Sequence, residues 1–146
     1  MRLIRDVLKG KTLTQLITIE PTATLAEAAR LMSVWNIGAL LVIDGAQLTG
    51  LVAERDLVRA LAVGAPPASV KVQDIMARDV RAVPPDTTAD ECMVLMTQLR
   101  LRHVTVVDGD AVLGVVSLGD LVKDVVNEQA FVIEQLELYI SRGANA

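Results

Sequence analysis

The sequence predicts an α/β (α+β) fold in which two pseudo-symmetric β-α-β-β-α repeats pack together, followed by an additional C-terminal helix. The first observation behind this prediction is an internal repeat, because residues 15–59 align without a gap on residues 79–123. The second is that both copies show the same order of strand, helix-start and turn signals. Since pockets form preferentially where two units meet, the repeat also predicts related ligand clefts between the two copies.

The repeat divides the chain into three segments. Residues 1–64 are predicted to hold the first repeat, residues 65–127 the second, and residues 128–146 a C-terminal helical extension. The segment at the first boundary, Gly64-Ala65-Pro66-Pro67, has the composition of a linker, and its two prolines predict that this linker is stiff.

The first long helix of each copy has a recognisable start. Thr24 is followed three residues later by Glu27, and Thr88 is followed in the same way by Glu91. In such a capping box the threonine oxygen accepts from the backbone amide of the glutamate, whose carboxylate in turn accepts from the amide of the threonine. The sequence therefore predicts two capping boxes.

The strands are indicated by short apolar runs that are rich in β-branched residues. In each copy two such runs flank an Asp-Gly pair, which is a strong signal for a hairpin turn. Continuous apolar runs of this length are typical of strands that are buried on both faces. The predicted strands are residues 16–19, 40–43 and 48–53 in the first copy, and residues 80–83, 104–107 and 112–117 in the second.

A helix is predicted to close each repeat, over residues 56–63 and 120–127. The helical pattern then continues through residues 128–140, where apolar side chains cover more than one stripe. A helix that is apolar nearly all round needs burial on several sides. This extension is therefore expected to pack on the repeats or on a second subunit.

Composition limits the classes of partner. The hydrophobic content of 52% and the mean hydropathy of +0.45 exceed the usual values for a water-soluble chain. The apolar runs are far shorter than the ~20 residues of a membrane-spanning helix, and no secretory signal is visible, so we expect an oligomer and no membrane association. The net charge of −4 and the 2% aromatic content disfavour nucleic acid. The single cysteine, Cys92, agrees with a reducing, cytoplasmic location.

The second strand of each copy runs into a Gly-φ-φ-x-x-x-Asp signature, in which φ is apolar. The two copies are Gly50-Leu51-Val52-Ala53-Glu54-Arg55-Asp56 and Gly114-Val115-Val116-Ser117-Leu118-Gly119-Asp120. With the order of elements around it, each copy resembles the CBS domain, and the tandem resembles a CBS pair, or Bateman module. The resemblance covers about residues 3–127. It implies a regulatory module without catalytic activity that dimerises through its CBS helices and its C-terminal helix.

The resemblance also implies the class of ligand, which is an adenosine-containing molecule bound in clefts between the two repeats. AMP, ADP and ATP are the main candidates, with S-adenosylmethionine and NADH as further ones. The sequence contains no P-loop, no glycine-rich dinucleotide fingerprint and no His/Cys metal spacing. Catalytic and metal-ligating residues are therefore not predicted.

Ser117 and Asp120 are the predicted anchors of one cleft. They lie where a strand ends and a helix begins, and the free amides of a helix N-terminus attract anions. A serine hydroxyl can donate to a phosphate oxygen, and an aspartate can accept from both ribose hydroxyls. A Ser-x-x-Asp sequence is also a capping box, which is the structural alternative for the same two residues.

The first repeat departs from this pattern. Ala53 stands in place of the hydroxyl residue, whereas Asp56 remains and Arg55 precedes it. Arg55 offers a fork of donors that can hold a phosphate. Alternatively, this cleft is empty or prefers a ligand with fewer phosphates. The two sites are expected to be unequal.

The resemblance places the adenine against the strand entries, where backbone groups would hydrogen-bond the base edge and aliphatic side chains would sandwich the ring. The alternative for each apolar residue among them is a role in the core. His103, the only histidine, is predicted either as a structural residue or, with Arg100 and Arg102, as a phosphate-neutralising group. The predicted contacts are Thr18, Ile19, Ala39 and Leu40 in one cleft, and Ala82, Val83, His103 and Val104 in the other.

Two hypotheses of different classes remain. In the first, the chain is a sensor whose ligand changes the relative tilt of the repeats and so a surface offered to another protein. In the second, it is a constitutive dimeric interaction scaffold with degenerate clefts, which Ala53 favours and the intact Ser117 and Asp120 oppose. An enzyme of the nucleotide dehydrogenase type is disfavoured, because the chain has no room for a catalytic barrel of ~250 residues.

Overall fold

The computed structural model describes residues 2–11 and 16–144. It consists of two three-stranded sheets, each accompanied by helices. The elements are α1 (Ile4–Lys9), β1 (Thr18–Ile19), α2 (Leu25–Trp35), β2 (Ala39–Asp44), β3 (Gln47–Ala53), α3 (Glu54–Ala62), α4 (Val72–Ile75), β4 (Ala82–Val83), α5 (Ala89–Leu99), β5 (His103–Asp108), β6 (Ala111–Ser117) and α6 (Leu118–Ala144).

The two sheets have the same topology. In each, the first strand pairs in parallel with the second, which pairs antiparallel with the third. The hairpins turn at Gly45 and Gly109, where φ is +62° and +59° and a residue with a Cβ would be strained. The predicted fold class is thus confirmed. The first four residues of the central strand β2 and the middle three of β5 are buried, as continuous apolar runs predict.

The predicted helix starts are only partly symmetric. Thr24 Oγ1 accepts from the amide of Glu27 at 3.2 Å, and the Glu27 carboxylate accepts from the amide of Thr24 at 3.4 Å, so this capping box is complete. At the second start Thr88 Oγ1 accepts from the amide of Glu91 at 3.1 Å. Within the described residues Glu91 does not return the bond, so the second capping box is formed only in half.

The short helix that precedes each repeat packs in the core of the other repeat. Ile4 and Val7 of α1 are buried among side chains of the second repeat, and Val72 of α4 and the adjacent Met76 are buried among those of the first. Backbone bonds accompany this exchange, such as that from the amide of Ile4 to the carbonyl of Thr87 at 2.8 Å. The predicted segments 1–64 and 65–127 therefore each contribute one helix to the other's core.

Helix α6 runs without a break from Leu118 into the C-terminal extension. Over residues 128–140 its apolar side chains are exposed. Burial against the repeats, one of the two expectations from the sequence, is therefore not observed for these residues, and burial against a second subunit remains a prediction. The exposed apolar side chains are Phe131, Val132, Ile133, Leu136, Leu138, Tyr139 and Ile140.

Gly50 and Gly114 occupy equivalent positions and provide a matched test of the exchanged helices. A Cβ at Gly50 would lie 2.5 Å from Met76 Sδ and 2.8 Å from the backbone oxygen of Ala77, whereas at Gly114 the nearest atom would be Leu8 Cδ2 at 3.1 Å. Gly50→Ala should therefore lower the free energy of unfolding by about 1–3 kcal/mol, and Gly114→Ala by less, because the Leu8 side chain can move. Urea unfolding measures both variants. An equal loss in the two would contradict this packing.

Candidate functional site

An open cleft of about 1000 Å³ lies between the two repeats. One wall is formed by the first repeat, from Ile17 and from residues 35–39, which connect α2 to β2. The opposite wall is formed by β5 and β6 of the second repeat and by one face of α6. Val7 and Leu8 of α1, and Gly10 and Lys11 that follow it, also line the cleft. The exchanged helix α1 thus contributes directly to the cleft.

Ser117 and Asp120 line this cleft at the junction of β6 and α6. The amide of Ser117 donates to Asp120 Oδ2 at 2.8 Å, and the amide of Asp120 donates to Ser117 Oγ at 3.0 Å. The structural alternative, a capping box, is therefore formed. Because Ser117 Oγ only accepts in this cap, its hydroxyl hydrogen can still donate to a ligand. The cap uses only one oxygen of the Asp120 carboxylate, Oδ2.

Lys11 is a residue of the cleft that the sequence analysis missed. Its ammonium group lies 2.9 Å from Asp120 Oδ2 and donates to the carbonyl of Val115 at 2.8 Å. These partners are more than 100 residues away along the chain, so only the packing of α1 against the second repeat could reveal the contact. In the sequence, Lys11 is only a basic residue in the segment between α1 and β1, and such residues are too common to single one out.

The carboxylate of Asp120 is held in its charged form. Burial by itself would raise the pKa of Asp120, but the hydrogen bond from the amide of Ser117 and the ammonium of Lys11 outweigh this effect and lower the pKa below its ordinary value. An ionised carboxylate is acceptor-only. Asp120 can therefore accept from the hydroxyl groups of a ligand.

His103 also lines the cleft, beside the backbone of the first repeat. It pairs with Ser117 across β5 and β6, and a Cβ at Gly38 would lie 3.4 Å from its Nε2. Burial lowers the pKa of His103 below its ordinary value, and the positive charge of Lys11 acts in the same direction. The imidazole is therefore neutral near pH 7 in the absence of ligand, and its predicted roles, structural or phosphate-neutralising, remain predictions.

Asp124 lies one helical turn after Asp120 and lines the same cleft. The guanidinium of Arg2 donates to Asp124 Oδ1 from Nε at 3.0 Å and from Nη2 at 2.7 Å. The side chain of Asp124 is only 10% exposed. Its other oxygen, Oδ2, is buried and has no hydrogen-bond donor among the described residues. Neither Arg2 nor Asp124 was singled out from the sequence.

The cleft brings together four of the predicted site residues, namely Ala39, His103, Ser117 and Asp120. Six of the predicted strand-entry contacts do not line it. Strand side chains alternate between faces, and four of the six point into the cores, while the other two are exposed elsewhere. Ile17 and Gly38 are among the first-repeat residues that do line the cleft. The four core side chains are Ile19, Leu40, Val83 and Val104, and the two exposed ones are Thr18 and Ala82.

The predicted anchors of the first repeat lie apart from this cleft. Asp56 Oδ2 accepts from the amide of Ala53 at 2.8 Å, but the alanine has no oxygen with which to return the bond. Arg55 is exposed on α3. Neither Asp56 nor Arg55 lines the cleft that holds Ser117. A role for them in a second cleft remains a prediction.

Two further classes of site are absent from residues 2–11 and 16–144. These residues contain no group of three or more His, Cys, Asp or Glu side chains with the geometry to hold a metal ion. None of the helices they form is both long enough and apolar enough to cross a membrane.

Known proteins share this architecture. The family model of the CBS domain matches residues 4–63 and again residues 72–127. The chain is 36% identical over 126 residues to the mitochondrial CBS domain-containing protein CBSX3 of Arabidopsis thaliana, covering 82% of this chain and 61% of that protein. The chain thus spans less than two thirds of the length of CBSX3. It belongs to the CBS domain family, and two matches in tandem make it a CBS pair.

Solved structures agree with this assignment. A protein with CBS domains from Burkholderia ambifaria MC40-6 is 38% identical, with a TM-score of 0.83 over 87% of this chain and 96% of that one. The CBS domain pair of protein MJ0100 is 25% identical, with a TM-score of 0.78 over 88% of this chain and 98% of that one. That pair was crystallised in complex with 5′-methylthioadenosine and S-adenosyl-L-methionine.

The lowered pKa of His103 predicts a pH dependence of stability. Because the unfolded chain takes up the proton more readily than the folded one, folding stability should fall as the pH drops below the ordinary value of 6.5 and towards the lower folded pKa. Urea unfolding of the wild type and of His103→Gln between about pH 5 and pH 8 measures this effect. The variant should lose less stability on acidification. Parallel profiles for the two proteins would contradict the burial of a neutral imidazole.

Proposed function

We propose that this chain is a regulatory module without catalytic activity that binds an adenosine-containing ligand in the cleft between its two repeats. The observation that carries the proposal is the placement of Ser117 and Asp120 at the start of α6, facing an open cleft that both repeats line. The complex of the MJ0100 pair with two adenosine derivatives supports this class of ligand. Within the class, AMP, ADP and ATP are the proposed ligands, with S-adenosylmethionine and NADH as further candidates.

The groups in the cleft match the parts of such a ligand. Asp120 Oδ1 is not used by the helix cap and can accept from ribose hydroxyls, whereas the hydroxyl of Ser117 can donate to a phosphate. Lys11 supplies a positive charge beside the same helix N-terminus, where anions are favoured. Ile17, Ala39 and the main chain of residues 36–38 offer apolar and backbone contacts for the base.

Lys11 connects ligand binding to the packing of the repeats. Its ammonium contacts Asp120 directly, so a ligand that engages Asp120 or brings a phosphate changes the partners of Lys11. Because Lys11 follows α1, which is packed in the second core, such a change acts on the relative position of the repeats. A ligand shifts this equilibrium only by its difference in affinity for the two arrangements, which is typically about 1–3 kcal/mol.

Isothermal titration of the purified protein against AMP, ADP, ATP and S-adenosylmethionine, with and without Mg²⁺, tests this function. Asp120→Asn keeps an oxygen for the helix cap but removes the charge. It should weaken binding about 10-fold or more, because hydrogen bonds to charged groups are the stronger ones. Asp56→Asn is the matched control at the equivalent position of the first repeat and should have less effect on this cleft.

Two results would contradict the proposed function. The first is an absence of saturable binding to a folded wild-type protein across this set of ligands. The second is equal affinity of the wild type and Asp120→Asn, which would show that the ligand binds elsewhere.

We also propose that the module is a cytoplasmic homodimer that associates through the CBS helices and α6. A compact monomer of 15.7 kDa would expose about 7300 Å², but the chain exposes 9370 Å². The excess of roughly 2000 Å² is comparable to the area that one partner buries in an obligate dimer, about 1000–2500 Å². Exposed apolar side chains lie on α3 and along α6, such as Val58 and Val122.

Charged substitutions on α6 test the dimer. The double variant Ile133→Asp/Ile140→Asp places two charges on exposed apolar positions and should convert a dimer into a monomer at micromolar concentration, because buried charges without partners are costly. Gln129→Asp/Gln135→Asp adds the same charge to polar exposed positions of the same helix and serves as the control. Sedimentation velocity gives the masses. A monomeric wild type, or a double variant as dimeric as its control, would contradict this interface.

The exposed apolar extension of α6 also favours the second candidate function, a constitutive scaffold that presents its helices to a partner protein. The titration separates the two functions. A scaffold remains dimeric and binds none of the nucleotides, whereas a sensor binds at least one of them through Asp120.

A further inference from the structure

We propose that His103 couples ligand binding in the cleft to pH, with Glu54 of the first repeat as the carboxylate that faces it across Gly38. A ligand whose phosphate is held at Ser117 is then bound together with one proton on the imidazole, and its affinity rises as the pH falls. This inference rests on the proposed function, because it needs an anionic ligand in the cleft. It adds the regulation of that site and a residue of the first repeat that takes part in it.

His103 and Glu54 approach one point from different repeats. Glu54 is the first residue of α3, and His103 is the first residue of β5. A Cβ at Gly38 would lie 3.3 Å from Glu54 Oε1 and 3.4 Å from His103 Nε2. Since both atoms lie so close to the same point, the carboxylate and the imidazole are within Coulombic reach of each other. A charge on the imidazole therefore acts on both repeats.

His103 also lies beside the groups proposed to hold a phosphate. It is the cross-strand partner of Ser117 in the hairpin of β5 and β6, and both residues line the cleft. The Cβ atoms of residues paired directly across antiparallel strands are about 5 Å apart. A phosphate that accepts from the hydroxyl of Ser117 is therefore close enough to the imidazole to favour its protonated form.

The surroundings of His103 keep the imidazole neutral until such a charge arrives. Burial is the largest effect and lowers the pKa of His103. Among the charged groups around it, Asp120 of α6 and Glu54 of α3 raise this pKa, whereas Lys11, which follows α1, and the neighbouring Arg102 lower it. A bound phosphate adds negative charge to this set. It raises the pKa of His103 from its lowered position, so a proton is taken up with the ligand.

Proton uptake fixes the direction of the pH dependence. When a group has a higher pKa in the complex than in the free protein, binding becomes tighter as the pH falls through the interval between the two values. One proton changes the affinity by at most about 10-fold per pH unit. The affinity for AMP should therefore contain a component that increases on acidification and that disappears when the imidazole is removed.

Because the chain contains a single histidine, the proton can be observed directly. The Cε1–H resonance of His103 is followed by NMR between about pH 5 and pH 8, in the free protein and with saturating AMP. The midpoint should lie at higher pH in the complex. Glu54→Gln removes the facing carboxylate and should lower the midpoint in both states. Glu134→Gln removes an exposed carboxylate of α6 that does not line the cleft, and should leave both midpoints unchanged.

Calorimetric titration measures the same coupling from the side of the ligand. Compared with His103→Gln, the wild type should bind AMP within about 2-fold at pH 8 and at least about 5-fold more tightly at pH 6. The phosphate of AMP itself titrates with a pKa of about 6, but this affects both proteins alike and cancels in the ratio of their affinities. Comparable affinity at pH 8 also shows that the variant is folded.

The outcomes separate the regulation from the function. If AMP binds but leaves the midpoint of His103 unchanged, or if the ratio of affinities is the same at both pH values, the proton coupling is wrong and the proposed function stands. If AMP shifts the midpoint and Glu54→Gln does not, the coupling does not extend to the first repeat and the role of Glu54 is wrong. If neither AMP nor ATP binds at either pH, the proposed function fails, and the coupling fails with it.

Discussion

The packing of α1 in the core of the second repeat is the contact on which the rest of the site depends. Ile4 and Val7 anchor this helix among buried side chains, and Gly114 leaves room for Leu8 beside it. Once α1 is fixed there, the residues on either side of it reach α6. Arg2 then meets Asp124, and Lys11 meets Asp120. Both charged contacts of the cleft follow from one apolar contact.

This dependence explains how a sequence repeat produces unequal sites. The repeated backbone places an aspartate three residues into the closing helix of each copy, at Asp56 and at Asp120. Asp120 has a serine partner and a lysine partner, whereas among the described residues Asp56 is bonded only by the amide of Ala53. The backbone is therefore pseudo-symmetric, and the electrostatics of the two positions are not.

The fold could be predicted from the sequence because its signals are local. Capping threonines, Asp-Gly turns and apolar runs act over a few residues, and they located the helix starts and the hairpins to within a residue or two. The exchange of α1 and α4 could not be predicted in this way, because each helix has six residues or fewer and its partners are distant in the sequence. The half-formed cap at Thr88 shows that even a local signal can be altered by its surroundings.

The site was predictable only in part for the same reason. Ser117 and Asp120 stand in a motif, so they were found, but Lys11 and Asp124 have no motif and acquire their roles from contacts across the fold. The apolar strand residues were assigned to the ligand when many of them belong to the core. For Leu40 and Val104 the sequence pattern was the same for either role, and only the burial of the side chain distinguishes them.

Both repeats contribute to one cleft at Asp120, the proposed ligand site. Mapping amide chemical shifts of the ¹⁵N-labelled protein during a titration with AMP tests it most directly. The amides of Gly38 and Ala39 in the first repeat should shift together with those of Ser117 and Asp120 in the second, along one binding curve. Shifts confined to one repeat, or centred on residues outside the cleft, would contradict it.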